Sequence, residues 1–267
     1  MRADTHTHSI FSFDAQPHAT VEAMCEAAIA KGLSCLAITD HCDICEENKH
    51  KVLERDDIAA AIGSAKQKYA DRLTLLFGVE LGQIGEFPDV ARALLAKYRY
   101  DFVIGSLHNL PNERDFYYFD FSKTDEGEIL ALMRRAIAEN RHAIEVGGFH
   151  ALGHLTYMHR YLLRDGRDFD FSLVSEEIAA LFDLLITKGI ALEVNTSTLA
   201  TVGVTMPPRE LLTLYRARGG RLITLSSDAH APERVAQNFE AAEQLLRECG
   251  FTEIAFPTAN GLISRPL

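Results

Sequence analysis

The chain has 267 residues and a formal net charge of −11, with 38 acidic against 27 basic side chains, the wrong sign for a surface that grips a phosphate backbone. With 47% apolar and 24% charged residues it has the composition of a globular protein, and its length suits one α/β barrel domain spanning residues 1–267. No apolar run approaches the roughly 18 residues of a membrane span, no basic-then-apolar leader opens the chain, and five cysteines make no disulfide framework, so the expected setting is cytoplasmic and reducing.

The elements alternate from the start. "RADTHTH" (2–8) reads as a strand. "TVEAMCEAAIAKG" follows as a helix with a threonine cap, an acid in its first turn and a glycine stop. "LSCLAITDH" (33–41) precedes helical "DDIAAAIGSAKQKYA", "LTLLFGVEL" (73–81) precedes "FPDVARALLAKY", and "YDFVIGSLH" (100–108) precedes "DEGEILALMRRAIAEN". "ALGHL" (151–155) leads to "SLVSEEIAALFDLLITKG", "IALEVNTS" (190–197) to "PPRELLTLYRARGG", and "GRLITLSSDAH" (220–230) to "PERVAQNFEAAEQLLRECG". Strand–helix alternation of this kind implies parallel strands in βαβ units. Seven such units predict a closed or nearly closed barrel. The first strand is followed by no glycine-rich dinucleotide fingerprint, which argues against a nucleotide cofactor.

His6, His8, His41, His108, His154 and His230 all fall at or just past the C-terminal ends of predicted strands, as do Glu80 and Asp228. In a parallel barrel those ends share one face, where active sites are built. Strand interiors favour Val, Ile and aromatics, and burying many imidazoles and carboxylates without a cation is costly. The pattern therefore predicts a metal cluster. In "HTH" the strand period of two puts His6 and His8 on one side, and "SDAH" repeats this with Asp228 and His230. Histidine with carboxylate suits zinc, iron or manganese. A purification tag would be a run of histidines without acids.

In this order, "DTHTHS", "TDH", "GVE", "GSLH", "GHL" and "SDAH" resemble the polymerase-and-histidinol-phosphatase (PHP) superfamily, from residue 2 to about residue 240. "EVNTS" and "PPRELLTLYRARGGRLITLSSDAHAPERV" resemble its monofunctional histidinol-phosphatase branch. The resemblance implies a distorted (β/α)7 barrel holding three divalent metal ions. His6, His8, Glu80 and Asp228 would bind the first ion. Glu80, His108 and His154 would bind the second, with Glu80 bridging, and Asp14, His41 and His230 the third. Many members have histidine where this chain has Asp14. Arg160, just after "GHLTYMH", matches the family's phosphate-contacting arginine, and a guanidinium can hold two phosphate oxygens. Pairing with Asp165 is its structural alternative.

The activity so implied is phosphomonoester hydrolysis by attack of a metal-bridging hydroxide on phosphorus. Catalysis would fall to Glu80, Asp228, His230 and Arg160, with Asp228 or His230 assisting the leaving alkoxide. The partner is a small phosphorylated metabolite, neither nucleic acid nor membrane. The branch points to L-histidinol phosphate in histidine biosynthesis. Rival readings are a PHP phosphoesterase acting on nucleotides or other phosphate esters, a metal-binding barrel without activity, and an amidohydrolase-like barrel. The last usually bridges its metals with a lysine, where this chain has Glu80. Acids in the loops at the barrel mouth, Asp43, Glu46, Glu47, Glu113 and Asp115, offer partners for the substrate's ammonium group. Asp4 and Asp40, beside expected ligands, are placed to orient an imidazole or a backbone group. Asp101 reads as a cap or turn residue. Cys42 and Cys45 lack a second pair to complete a zinc site and read as loop residues near the centre. His18, His50, His142, His150 and His159 read as solvated or structural.

Overall fold

A computed structural model describes residues 2–258 and 261–267. Strands β1 (Ala3–Thr7), β2 (Cys35–Ile38), β4 (Thr74–Gly82), β5 (Phe102–Ser106), β6 (Ala151–Leu152), β7 (Ala191–Asn195) and β8 (Ile223–Ser226) pair in that order, all parallel. β3 (His41–Asp43) continues the line of β2 along β4. The single predicted run 33–41 is thus one strand line broken at Thr39 and Asp40. The break matters for the site, because the resumed register pairs His41 with Glu80. The sheet closes at its C-terminal end, where Thr7 bridges Ala229, His8 N–H donates to the Ala229 carbonyl at 2.8 Å and Asp228 N–H to the His6 carbonyl at 2.9 Å. The result is the expected distorted (β/α)7 barrel.

The strand period of two sorts the side chains. Leu36 and Ile38 pack outward under the helices, while Cys35, Ala37, Leu76, Ile104, Ala151 and Ala191 fill the barrel interior. Small residues dominate this inner layer. An antiparallel hairpin, β9 (Glu253–Thr258) with β10 (Gly261–Pro266), was not expected from the sequence. It puts Phe256, Leu262 and Ile263 against that inner cluster beside Ala3 and Leu222 at the strand beginnings. The end opposite the histidines is thereby covered.

Helices α1 (Val21–Ala30), α2 (Asp56–Tyr69), α3 (Pro88–Lys97), α4 (Glu126–Val146), α5 (Tyr157–Arg164), α6 (Ser175–Lys188), α7 (Leu199–Val202), α8 (Arg209–Ala217) and α9 (Phe239–Glu248) fill the connections. The Thr20 hydroxyl accepts from Ala23 N–H at 3.1 Å, as the cap pattern predicts. α5 and α7 were not expected. α5 starts directly after "GHL", and Thr156 makes no capping bond, so no start signal announces it. α9 begins later than its pattern suggests, because the preceding segment is used as a brace. Its Ala236 N–H donates to Asp4 Oδ2 at 2.8 Å, and its Glu233 and Val235 carbonyls accept from Lys31 Nζ at 2.7 and 2.5 Å.

Candidate metal centre

Five imidazoles surround one carboxylate. The Glu80 side chain, on β4, is fully buried. Its Oε2 lies 3.3 Å from His6 Nε2, 3.6 Å from His8 Nε2 and 2.8 Å from His41 Nδ1. Its Oε1 lies 3.1 Å from His108 Nε2 and 2.8 Å from His154 Nε2. Asp228 Oδ1 approaches His8 Nε2 at 3.2 Å and His6 Nε2 at 3.7 Å. On the outer side, Asp14 lies 3.1 Å from His230 Nε2 and 3.6 Å from His41 Nε2, and the His8 and His230 rings stack at 4.0 Å.

In four of the imidazoles, those of His6, His8, His108 and His230, the Nδ1 atom is tied down. His6 Nδ1 sits 2.7 Å from Glu193 Oε1, and His108 Nδ1 2.7 Å from Asp43 Oδ1. His230 Nδ1 faces the Asp228 carbonyl at 2.9 Å. The Ser12 hydroxyl donates to Asp40 at 2.8 Å, so its lone pair takes the proton of His8 Nδ1 at 3.0 Å. Carboxylates and carbonyls accept only, so in the neutral imidazoles the proton resides on Nδ1. In these four Nε2 is left as an inward lone pair, the arrangement metal-binding histidines use; His41 is turned the other way, with Nδ1 toward Glu80.

The backbone is also held in place. Asp228 has φ 52°, an unusual conformation for a side-chain-bearing residue. It is kept there by its N–H bond to His6 and by Asp4, which accepts from the Ser227 N–H at 2.9 Å and from the Ser227 hydroxyl. Gly82 serves Asp43. A Cβ there would fall 2.1 Å from Asp43 Oδ1, so only glycine lets that carboxylate reach His108.

Charge in the cluster balances only through protons. Burial opposes a charge on His6, His108 and His41, yet the surrounding carboxylates outweigh it and raise all three, His41 to about 10. Burial and the neighbouring His230 and His41 push His8 well below its usual range. Burial alone would raise Glu80 and Asp228, but the imidazoles hold both well below the carboxylate range. His6 Nε2, His8 Nε2, His41 Nδ1, His230 Nε2 and Glu80 Oε2 are buried without a properly directed hydrogen bond. Donor atoms of His6, His8 and Asp228, of His6, Glu80 and His154, of His41, Asp43 and His108, and of His8, His41 and His230 cluster within 4.8 Å in each group. Lone pairs aimed inward, with mixed imidazole and carboxylate donors, fit divalent metal ions.

A family model for the PHP domain matches residues 4–197. This chain belongs to the PHP domain family. A probable histidinol-phosphatase of Clostridium acetobutylicum is 26% identical over 254 residues, covering 95% of this chain and 96% of the relative. The histidinol-phosphatase of Lactococcus lactis is 26% identical over 263 residues, covering 95% and 93%. The crystal structure of histidinol phosphate phosphatase from Lactococcus lactis, complexed with zinc, L-histidinol and phosphate, superposes with a TM-score of 0.78 at 21% identity, covering 98% of each chain. That likeness carries the fold.

Within the PHP barrel all nine side chains expected as ligands converge: His6, His8, Asp14, His41, Glu80, His108, His154, Asp228 and His230. The partition is tighter than the expected sets, since His6, His8 and His41 each belong to two of the four groups. Asp43, expected as a free mouth acid, is instead committed to His108 and approaches His41 at 3.6 Å. Asp4 and Asp40 orient backbone and serine groups rather than an imidazole directly. Glu193 was missed, although a glutamate amid the apolar residues of "ALEV" was a readable signal. Arg160 forms no ion pair among the described residues; its guanidinium lies 5.4 Å over the Tyr161 ring, and Asp165 pairs with Arg164 instead. Cys42 is buried on β3 and Cys45 exposed, and burial pushes the Cys42 thiol up to about 11, which makes it a poor nucleophile. Asp101, expected as a cap or turn residue, instead accepts from the Phe77 N–H of β4 at 2.8 Å and pairs with Lys66. His159 is buried against Asp168 at 2.7 Å, and His18 pairs at the surface with Glu233. No helix among the described residues is long and apolar enough to cross a membrane.

Proposed function

We propose that this chain is a metal-dependent phosphomonoesterase whose substrate is L-histidinol phosphate, split to L-histidinol and phosphate. The observation that carries the reading is the Glu80 carboxylate shared by five imidazoles at the strand ends of a PHP barrel. The histidinol-phosphatases that align along nearly the whole chain support the substrate. His6, His8, Glu80 and Asp228 would hold one ion, Glu80, His108 and His154 a second, and Asp14, His41 and His230 a third. When bound, divalent ions supply Lewis acidity that lowers the pKa of water toward neutrality and offsets charge on phosphoryl oxygens.

The chain's own residues then bind and orient. Arg160, without an ion-pair partner, offers its guanidinium to phosphoryl oxygens. Tyr157 covers His108 and His154, with ring centroids 5.0 and 4.9 Å apart, and keeps water from that side of the cluster. His230 has its Nδ1 proton facing the Asp228 carbonyl, so with Nε2 toward an ion it would serve as a ligand and not as a proton donor to the leaving alkoxide.

The test is phosphate release by the metal-loaded protein from L-histidinol phosphate, AMP, a sugar phosphate and an aryl phosphate. The expected result is the highest kcat/KM for L-histidinol phosphate. A higher value for AMP defeats the substrate assignment and leaves the phosphatase standing. Arg160→Ala should raise KM, and an unchanged KM and kcat would remove Arg160 from the phosphate site.

A further inference from the structure

Resting on that reading, the mouth acids can be separated by what already occupies them. Asp43 is engaged by His108. Glu46 pairs with Lys49 at 2.5 Å and Glu113 with Arg135 at 2.5 Å. Glu47 is exposed and takes a hydrogen bond from Cys45. Asp115 differs. It is half-buried and forms no ion pair with any described Lys, Arg or His. Its Oδ1 accepts from Tyr117 N–H at 2.7 Å and from the Tyr157 hydroxyl at 3.4 Å, which leaves Oδ2 open.

Its surroundings connect it to the centre. The Tyr157 ring lies on His108 and His154, and its hydroxyl also takes a bond from Tyr161 at 2.7 Å. Tyr157 thus links Asp115 to the two imidazoles. A half-buried carboxylate with a free oxygen and no counter-ion is an incomplete arrangement. A cation beside Asp115 would complete it. We infer that Asp115 recognises the ammonium group of a cationic phosphate ester, with Tyr157 as its positioning residue.

The test uses Asp115→Asn, which keeps acceptors for Tyr117 N–H and the Tyr157 hydroxyl but removes the charge. Two esters are compared on the metal-loaded protein: L-histidinol phosphate and its des-amino analogue, imidazolylpropyl phosphate. The readout is the ratio of their kcat/KM values, in which any loss of folded or metal-loaded protein cancels. The wild-type chain should favour the amine roughly ten- to a hundredfold, the range of one charge-assisted hydrogen bond. In Asp115→Asn the ratio should fall toward one, mainly through KM. Tyr157→Phe, which keeps the ring and removes the hydroxyl, should lower it by a smaller factor. A ratio unchanged in Asp115→Asn overturns the inference, as does a wild-type ratio near one. If the wild-type chain turns over neither ester, the phosphatase reading itself falls and takes this inference with it.

Discussion

His6, on β1, and His154, in the loop just past β6, share one carboxylate: Glu193 Oε1 lies 2.7 Å from His6 Nδ1, and Oε2 accepts the His154 backbone N–H at 2.6 Å. Glu193 is buried, and burial, which would raise its pKa, is outweighed by His6. A glutamine here keeps the volume but can present an N–H to His6, favouring the wrong tautomer. Glu193→Gln should weaken metal binding by about 10- to 100-fold, the usual cost of losing such a partner. Competition against a chromophoric chelator measures it; wild-type affinity in the variant would show that Glu193 does not set the His6 tautomer.

What the sequence made legible follows from periodicity and repetition. Histidines at equivalent strand ends pointed to the centre because strand interiors rarely carry them, and the alternation of elements pointed to a barrel. Three features were hidden for physical reasons. Glu193 stands out in the sequence only as an acid within an apolar strand; that it acts through His6 is a tertiary fact that no spacing rule flags. Asp43 depends on the resumption of strand pairing at His41 and on the missing side chain of Gly82, both tertiary facts. The β9–β10 hairpin lies after the last helix, where the βα alternation offers no guide.

Glu80→Gln tests the shared carboxylate. The amide keeps the shape and loses the charge that five imidazoles surround. Turnover should fall roughly a thousandfold or more, about 4 kcal/mol of barrier at 1.36 kcal/mol per tenfold. Metal content is measured on the same sample. Near-wild-type turnover with the metals retained would mean that the charge on Glu80 is not used.

Metal and protons should compete for this cluster. In the metal-free chain His6, His41 and His108 are raised, so they hold protons at pH 7, whereas His8 is lowered and already neutral. A ligand nitrogen must give up its proton, so binding releases protons and affinity rises as pH rises. Zinc titration by calorimetry in two buffers of different ionisation enthalpy should report release of about one proton or more per chain near pH 7. Affinity should increase between about pH 6 and 8. Identical heats in the two buffers would contradict the proton-loaded state of these imidazoles.

Gly82→Ala probes the contact that places Asp43. The added Cβ would meet Asp43 Oδ1 at 2.1 Å and the Asp43 Cα at 3.3 Å, so the carboxylate must leave His108 Nδ1. Two effects should appear together: a stability loss of about 1–3 kcal/mol from overpacking, and weaker metal binding as His108 loses its partner. They separate in a double-mutant cycle. Asp43→Ala alone should weaken metal binding while removing the side chain that the new methyl group strikes. Adding Gly82→Ala to it should then cost little further stability and little further affinity, because residues in direct contact are not additive. Thermal denaturation and chelator competition on the four proteins read both quantities. Additive losses in the double variant would mean that Gly82 is required for the backbone path of β4 rather than for the reach of Asp43.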